Sequence, residues 1–478
     1  MRRLQGIDAA FLSAERAGMH MHVIGVLVLE PPGSDPGWGH RTVVDLLDER
    51  IHLIPPFRWR LLPVPFGLDD PRWVDDPEFD VEAHVRRAVL PSPDLGALAD
   101  LVSEIAGTPL DRSRPLWDMV VVEGLPDGRI ALVTKLHHAF MDGGAGGEVM
   151  ASLFDLEAEP APVDGPPPPW APDAPPSPAR LLVESPLGAI GRARSVPGAL
   201  GAVSRTLPAV LRAIQPSGPV AAPTVRRPTA WREPLTSERR VAFLRYPLDR
   251  LKVARRPLGA TINDLVLAAA TTAVREELVE GDLPLTDTML ALVPISERTQ
   301  GDGAFRNRTS ALQVSLPVHL EDPLERLAEV RRSADEAKGL HAEMGDGALE
   351  QLVGVLPPAL VAAGLAAATE ALTRGLVPSP FDLVISNIAG PPIPLYLKGA
   401  RVTDLYAFGP LLQGAGLNLT LLSHDGWIDI GIIGCRDDVG TLSNRLTDAF
   451  DTYVALAGEL PGDGRRSPAG AERDAVGR

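Results

Sequence analysis

The segment His137-His138-Ala139-Phe140-Met141-Asp142-Gly143 stands directly behind an apolar run and carries the residue types of a proton-transfer site. Neutral imidazole, with an ordinary pKa near 6.5, can take a proton from a hydroxyl or amine at neutral pH. The chain has only 10 histidines in 478 residues, so this spacing does not follow from composition. Asp142 is suited to fixing the turn that aims a ring, and Gly143 can adopt backbone geometry closed to other residues. Two further readings stand beside this one. A metal site of His137, His138 and Asp142 meets the difficulty that adjacent strand residues point to opposite faces, which keeps both rings from one ion. A hydrogen-bonded structural pair in a core is the other. The alternation also implies that one ring faces a ligand space while the other supports it, and it leaves open which.

The elements that must hold this segment can be read on both sides of it. Trp117 to Glu123 and Arg129 to Leu136 are β-rich runs joined by Gly124-Leu-Pro-Asp-Gly128, a natural hairpin whose second strand ends at the histidines. Gly143 to Gly147 then forms a flexible turn before Glu148 to Phe154, which can begin a helix. His22 to Leu29 reads as a buried strand. Further along, Thr261 caps a helix running to Leu278, with Asp264 at its third position and Gly281 just past its end. Strands recur at Ala291 to Pro294, Leu312 to Leu316 and Leu383 to Ser386. Leu417 to Ser423 and Trp427 to Ile433 flank His424-Asp425-Gly426, where Asp-Gly signals a tight hairpin. Gln351 to Thr369 is uncharged and apolar, but Pro357-Pro358 interrupts it and Gly354 and Gly364 weaken it. It predicts a buried helix more than a membrane span.

Composition bounds the rest. A hydrophobic share of 45%, a charged share of 23% and a mean hydropathy of +0.05 exclude a wholly disordered chain and a polytopic membrane protein. With 46 basic against 62 acidic residues the net charge is −16, so no basic field exists to hold nucleic acid. The single cysteine, Cys435, allows no intrachain disulfide and fits a reducing compartment; with no signal-peptide core at the N-terminus, the cytoplasm is expected. Proline clusters divide the chain. The expected organisation is an N-terminal lobe over 1–158, a proline-rich connection over 159–235, a C-terminal lobe over 236–460 and a frayed tail over 461–478. Within the connection, residues 179–214 alternate leucines with Arg180, Arg192, Arg194, Arg205 and Arg212. They read as amphipathic helices packed on a lobe or as a basic face lying peripherally on a membrane or lipid droplet.

The HHxxxDG string is similar to the signature of the acyl-CoA-dependent acyltransferase superfamily, which includes chloramphenicol acetyltransferase and peptide-synthetase condensation domains. More narrowly, the chain resembles the bacterial wax ester synthase/acyl-CoA:diacylglycerol acyltransferase family. The supporting blocks are Leu4-Gln-Gly-Ile-Asp-Ala-Ala-Phe-Leu12, Met21-His-Val23, Pro109-Leu-Asp-Arg-Ser-Arg-Pro-Leu-Trp117, Gly259-Ala-Thr-Ile-Asn-Asp-Leu265, Val293-Pro-Ile-Ser-Glu-Arg298 and Ser386-Asn-Ile-Ala-Gly-Pro391. Glu297, where a small or apolar residue is expected, and Phe305-Arg-Asn307, a loose form of a Gly-Asn block, depart from the pattern. The resemblance implies an α/β fold of two lobes, each a mixed sheet flanked by helices, with a tunnel between them. It implies an O-acyltransferase that moves a fatty acyl group from acyl-CoA, a co-substrate, to diacylglycerol or a long-chain alcohol, without a resident cofactor or metal. His138 would be the general base, His137 its support, and Asp142 with Gly143 the turn. Asn263 is the candidate polar group near the developing negative oxygen, its block preceding a helix whose N-terminus favours negative charge; helix capping is the alternative role of that block. The chain carries no GxSxG elbow, and Cys435 lies on a strand-like run far from the motif, so direct transfer without an acyl-enzyme is expected; the glycines at 143 to 147 lack a following Lys-Ser or Lys-Thr, which argues against a phosphate-cradling loop. Another hydroxyl acceptor on the same fold, or a lipid-binding protein without turnover, are the competing readings.

Overall fold

The structure is a computed structural model that describes residues 2–4, 7–16, 18–140, 149, 151–159, 170–185, 231, 234–285, 288–296, 309–344, 356–377, 379–436 and 439–460. Asp142, Gly143, the 143–147 turn, Arg298, the 305–307 block, most of the proline-rich connection and the 461–478 tail lie outside the described residues.

The strands are β1 (Arg2–Arg3), β2 (His22–Glu30), β3 (Trp59–Leu62), β4 (Arg72–Asp75), β5 (Val85–Val89), β6 (Trp117–Glu123), β7 (Ile130–His137), β8 (Arg240–Pro247), β9 (Met289–Ser296), β10 (Thr309–Leu316), β11 (Leu383–Ala389), β12 (Tyr396–Leu397), β13 (Ala400–Phe408), β14 (Leu417–His424) and β15 (Trp427–Gly434). The main helices are α1 (Ile7–Ala14), α2 (His40–Arg50), α3 (Leu95–Gly107), α4 (Leu248–Ala254), α5 (Ile262–Glu280), α6 (Pro323–Met344), α7 (Pro358–Thr373) and α8 (Val439–Glu459). Two six-stranded mixed sheets result, in the orders β12-β13-β2-β7-β6-β5 and β10-β9-β11-β14-β15-β8, with a small β1-β4-β3 sheet beside the first. This is the expected α/β architecture of mixed sheets flanked by helices.

Strand β7 shows why the central strands read as unbroken apolar runs. Ala131 and Val133 pack toward α3 with Leu98, Val102 and Ile105, while Ile130 and Leu132 enter a second core with Val43, Leu47 and Trp117. A strand covered on both faces loses the apolar-polar alternation. In the second lobe, α5 is buried nearly all round, from Asp264 through Val274, between the sheet and helices α6 and α8.

The lobes are interlocked through β12 and β13. They lie within 236–460 in sequence but extend the first sheet, β13 pairing antiparallel with β2 from Phe408↔Ile24 to Arg401↔Glu30. One core cluster joins α3 and β7 to Val241 of β8 and Ile433 of β15, and Ser103 Oγ accepts from the Val241 N–H at 3.1 Å.

One expectation is corrected. Of the apolar run from Gln351 to Thr369, residues 351–355 lie outside the described residues; the rest enters α7, capped at Pro357, in which no residue is buried and Leu360 is 61% exposed. Alanine and glycine make the run apolar in composition while leaving little bulk to anchor it in a core. It packs instead on α1. Among the described residues no helix is long and apolar enough to cross a membrane.

Candidate active site

The histidine pair is positioned by the sheet. His137 is opposite His22 in the β2–β7 register, its N–H donates to the Leu116 carbonyl at 3.0 Å, and the His138 N–H donates to the Met21 carbonyl at 2.6 Å. The Phe140 N–H closes back on the His137 carbonyl at 2.8 Å, turning the chain out of the strand. The two rings then have different surroundings. His137 is 1% exposed, and its Nδ1 accepts the Ala139 N–H at 3.0 Å. In a neutral ring the proton therefore sits on Nε2, which lies 3.6 Å from Glu15 Oε2. His138 is only partly buried, its ring tilted at 46° against Phe11 with centroids 4.4 Å apart. The alternative that the alternation left open is thus resolved in placement: His137 is the enclosed ring and His138 the more open one.

A cluster that the sequence reading did not anticipate lies beneath them. Glu15, one residue past α1, lies 3.5 Å from His22 Nε2 and 3.9 Å from His20 Nδ1 in addition to His137. Arg112 completes it, donating through Nε to Glu15 Oε2 at 2.9 Å and through Nη2 to the same oxygen and to the Leu12 carbonyl. Burial alone pushes the Glu15 carboxyl up, but the contacts with His137, His20, His22 and Arg112 outweigh it and hold the group far below the usual carboxylate range. Burial, reinforced by repulsion from His137 and Lys135 and opposed by Glu15, pushes His22 down to about 4. The only prior signal was the occurrence of His20, His22 and Glu15 within eight residues, at separations that match no single strand or helix face.

The Pro109–Trp117 block splits between two roles. Arg112 reaches the Glu15 cluster, whereas Trp117 is fully buried, donates Nε1–H to the Phe57 carbonyl at 2.8 Å and stacks on His84 at 4.4 Å. Trp117 is a core residue at the start of β6. His84 donates Nδ1–H to the Trp117 carbonyl at 2.8 Å, and burial holds it down to about 4 against that bond.

Asn263 lies in the second lobe on the first turn of α5. The cap is made by its neighbours: Thr261 Oγ1 accepts from the Asp264 N–H at 3.1 Å, and Asp264 Oδ2 accepts from the Thr261 N–H at 2.8 Å. The Asn263 side chain faces a different partner, its Oδ1 accepting from Asn387 Nδ2 at 3.5 Å. Two separate sequence blocks, around Asn263 and Ser386-Asn387, therefore meet.

Among the described residues no group of three or more His, Cys, Asp or Glu side chains is arranged to hold a metal ion. A cavity of about 610 Å³ opens at the far end of β7, between Trp38, His40, Arg87, Glu123, Arg129 and Ile130. The eight-residue strand, rising roughly 3.3 Å per residue, separates it from the histidines.

The family model for the wax ester synthase/diacylglycerol acyltransferase catalytic domain matches residues 4–266, and that for the WS/DGAT C-terminal domain matches residues 306–454. A Mycobacterium tuberculosis H37Rv protein provisionally named a diacylglycerol O-acyltransferase is 37% identical over 439 residues, covering 89% of this chain and 90% of its own length. A second protein of that strain, named in the same way, is 34% identical over 454 residues, covering 92% and 96%. Among solved structures, the wax ester synthase/diacylglycerol acyltransferase of Marinobacter aquaeolei VT8 superposes with a TM-score of 0.66 at 26% identity over 95% of this chain and 98% of its own. The first condensation domain of the CDA synthetase shares the fold at a TM-score of 0.55 and 16% identity, over 96% and 97% of the two chains.

Proposed function

The chain belongs to the wax ester synthase/diacylglycerol acyltransferase family, and from that premise we propose that it moves a fatty acyl group from acyl-CoA to the hydroxyl of diacylglycerol or of a long-chain alcohol, with His138 as general base. The observation that carries the assignment of the base is the unequal burial of the pair: His138 is the more open ring, and it stands at the strand end beside an enclosed partner.

A hydroxyl is a poor nucleophile at neutral pH, and a base within about 3 Å of it is typically worth 10²- to 10⁴-fold. His138 takes the hydroxyl proton as the oxygen attacks the thioester carbonyl. The new C–O bond forms, the negative charge develops on the carbonyl oxygen, and collapse breaks the C–S bond. The imidazolium returns its proton to the departing thiolate, so the ring ends as it began. Asn263 fits the role of a donor to the developing oxyanion, because Thr261 and Asp264 satisfy the helix cap without it and its Oδ1 alone is engaged by Asn387. Asp142 and Gly143 lie outside the described residues, and their supporting role is the one that the resemblance implies.

The decisive measurement is the transfer of labelled palmitoyl-CoA to diacylglycerol and to hexadecanol by the wild type and H138A. The expected result is a loss of at least about 10²-fold in kcat with either acceptor. Undiminished turnover in H138A removes the base, and no product from the wild type with either alcohol points to another acceptor.

An acceptor of this kind resides in lipid, and in this reading the enzyme meets it at a membrane or droplet surface. Support comes from α7, which has no charge before Glu370, exposes Leu360, and packs on the helix whose Phe11 touches His138. Flotation with liposomes is expected for the wild type and reduced for L360E; absence of flotation at both low and high salt removes this contact.

A further inference from the structure

Glu15 takes no part in the transfer derived above, yet α1 delivers two contacts to the histidine pair. Phe11 of this helix lies against the His138 ring, and Glu15, just past its C-terminal end, faces His137 Nε2. The Glu15 side chain is 11% exposed, and the polar groups facing it come from three other segments: His137 of β7, His20 and His22 at the start of β2, and Arg112 from the turn before β6. Arg16 sends its Nη1 to the Ser13 and Glu15 carbonyls and not to the carboxylate, and Lys135 donates to the Ile105 and Thr108 carbonyls. Thus one anion, partly balanced by one guanidinium, sits among three buried rings. A buried carboxylate with one cationic partner is a costly arrangement to keep for packing alone.

We propose that Glu15 is a positioning residue for acyl transfer: with Arg112 it holds His137 in its Nε2–H form, and His137, through the Ala139 N–H, holds the turn that presents His138. The chain of contacts is continuous. Glu15 faces Nε2–H; Nδ1 of the same ring is thereby left as the acceptor for Ala139; and Ala139 follows His138 directly. The negative charge also favours the protonated form of the nearby base, while Arg112 moderates that effect. This role rests on the reading of His138 as the base and extends it to a residue that touches no substrate.

The test pairs E15Q with R112Q on the full chain. E15Q keeps the shape of the side chain and removes its charge; R112Q, at a side chain 47% exposed, leaves the charge in place and removes its partner. E15Q is expected to lower kcat about tenfold or more with KM for acyl-CoA and alcohol unchanged within about twofold, as for loss of an orienting neighbour. The acid limb of the pH–kcat profile is expected to move down in E15Q and up in R112Q, each by about half a unit or more. A purely structural role lowers folded protein in both variants without moving the limb in opposite directions. Unchanged kcat and an unmoved acid limb in E15Q overturn the proposal, and if E15Q does not fold, an unmoved limb in R112Q does so. H138A run in parallel separates the two readings. Full activity there removes the base itself, whereas a large loss in H138A beside unmoved E15Q and R112Q profiles removes only the role of Glu15.

Discussion

His22 and His84 are each held down to about 4 in the folded chain, burial being the main cause for both. Unfolded, each ring protonates near its ordinary value of about 6.5, so acid feeds protons to the unfolded state first. Stability is expected to fall as pH drops from about 6.5 toward 4 and to be insensitive to these groups above about 7. At about 1.4 kcal/mol per unit, each ring can contribute up to about 3 kcal/mol across that window. Denaturant unfolding between pH 7.5 and 5 checks the sign, and His84→Gln is expected to flatten the curve. At the same scale, Asn263 and Thr261 separate catalysis from folding. N263A is expected to lower kcat about 10- to 10³-fold with little change in unfolding midpoint, whereas T261A is expected to lose about 1 kcal/mol of stability with kcat nearly unchanged. Equal kinetic loss in both variants returns Asn263 to a capping role.

Elements whose signals are local were legible in the residues. Asp425-Gly426 joins β14 to β15 as a two-residue turn, with His424 opposite Trp427 and positive φ at both positions, 43° and 83°. Gly426→Ala is therefore expected to cost about 1 kcal/mol by denaturant unfolding without altering turnover. Helix α5 begins at its Thr261 cap and ends before Gly281 as the capping pattern predicts, and β6 spans the predicted Trp117–Glu123. Local signals were weaker elsewhere. The run that became α7 was predicted as a buried helix, but composition states how apolar a segment is and not which neighbour covers it. Strands β12 and β13 form a short hairpin about Lys398-Gly399, with positive φ at both positions, but that turn does not say which sheet the hairpin joins. The pairing of β13 with β2 joins residues more than 350 positions apart, and a strand's destination over such a separation is set by packing.

At the scale of the whole molecule, the lobes are tied by charges drawn from both sheets. Arg245 of β8 donates to Asp404 of β13 at 2.9 Å and lies 3.3 Å from Asp429 of β15, whose Oδ2 accepts the Leu405 N–H at 2.9 Å. Burial and the neighbouring Asp404 push Asp429 up to about 7, with Leu405 and Arg245 opposing them. Removing the shared cation with R245M leaves two carboxylates facing each other. The expected loss is about 2 to 3 kcal/mol, below the fully buried case because Arg245 is partly solvated. It is expected to be larger at pH 8, above the raised value of Asp429, than at pH 5.5, below it; equal losses at the two pH values dismiss the electrostatic account. Gly431 makes the same junction steric. A Cβ there meets the Ala407 carbonyl at 2.1 Å and the Phe408 ring at 2.9 Å, so Gly431→Ala is expected to separate β15 from β13 and lower the unfolding midpoint by several degrees.

The residues alone determined the chemistry on offer and the pieces that carry it: an HHxxxDG string behind a β-rich hairpin, a capped helix bearing Asn263, a tight Asp-Gly turn, and the family that these blocks resemble. Each depends on neighbours within a few positions, where spacing and propensity act directly. Tertiary structure decided which histidine is enclosed, that Trp117 belongs to the core, that β13 crosses into the other lobe's sheet, and that Glu15 meets three histidines and an arginine. Those outcomes depend on which distant groups share one buried volume, because desolvation and Coulomb energies act through space and leave no period along the chain.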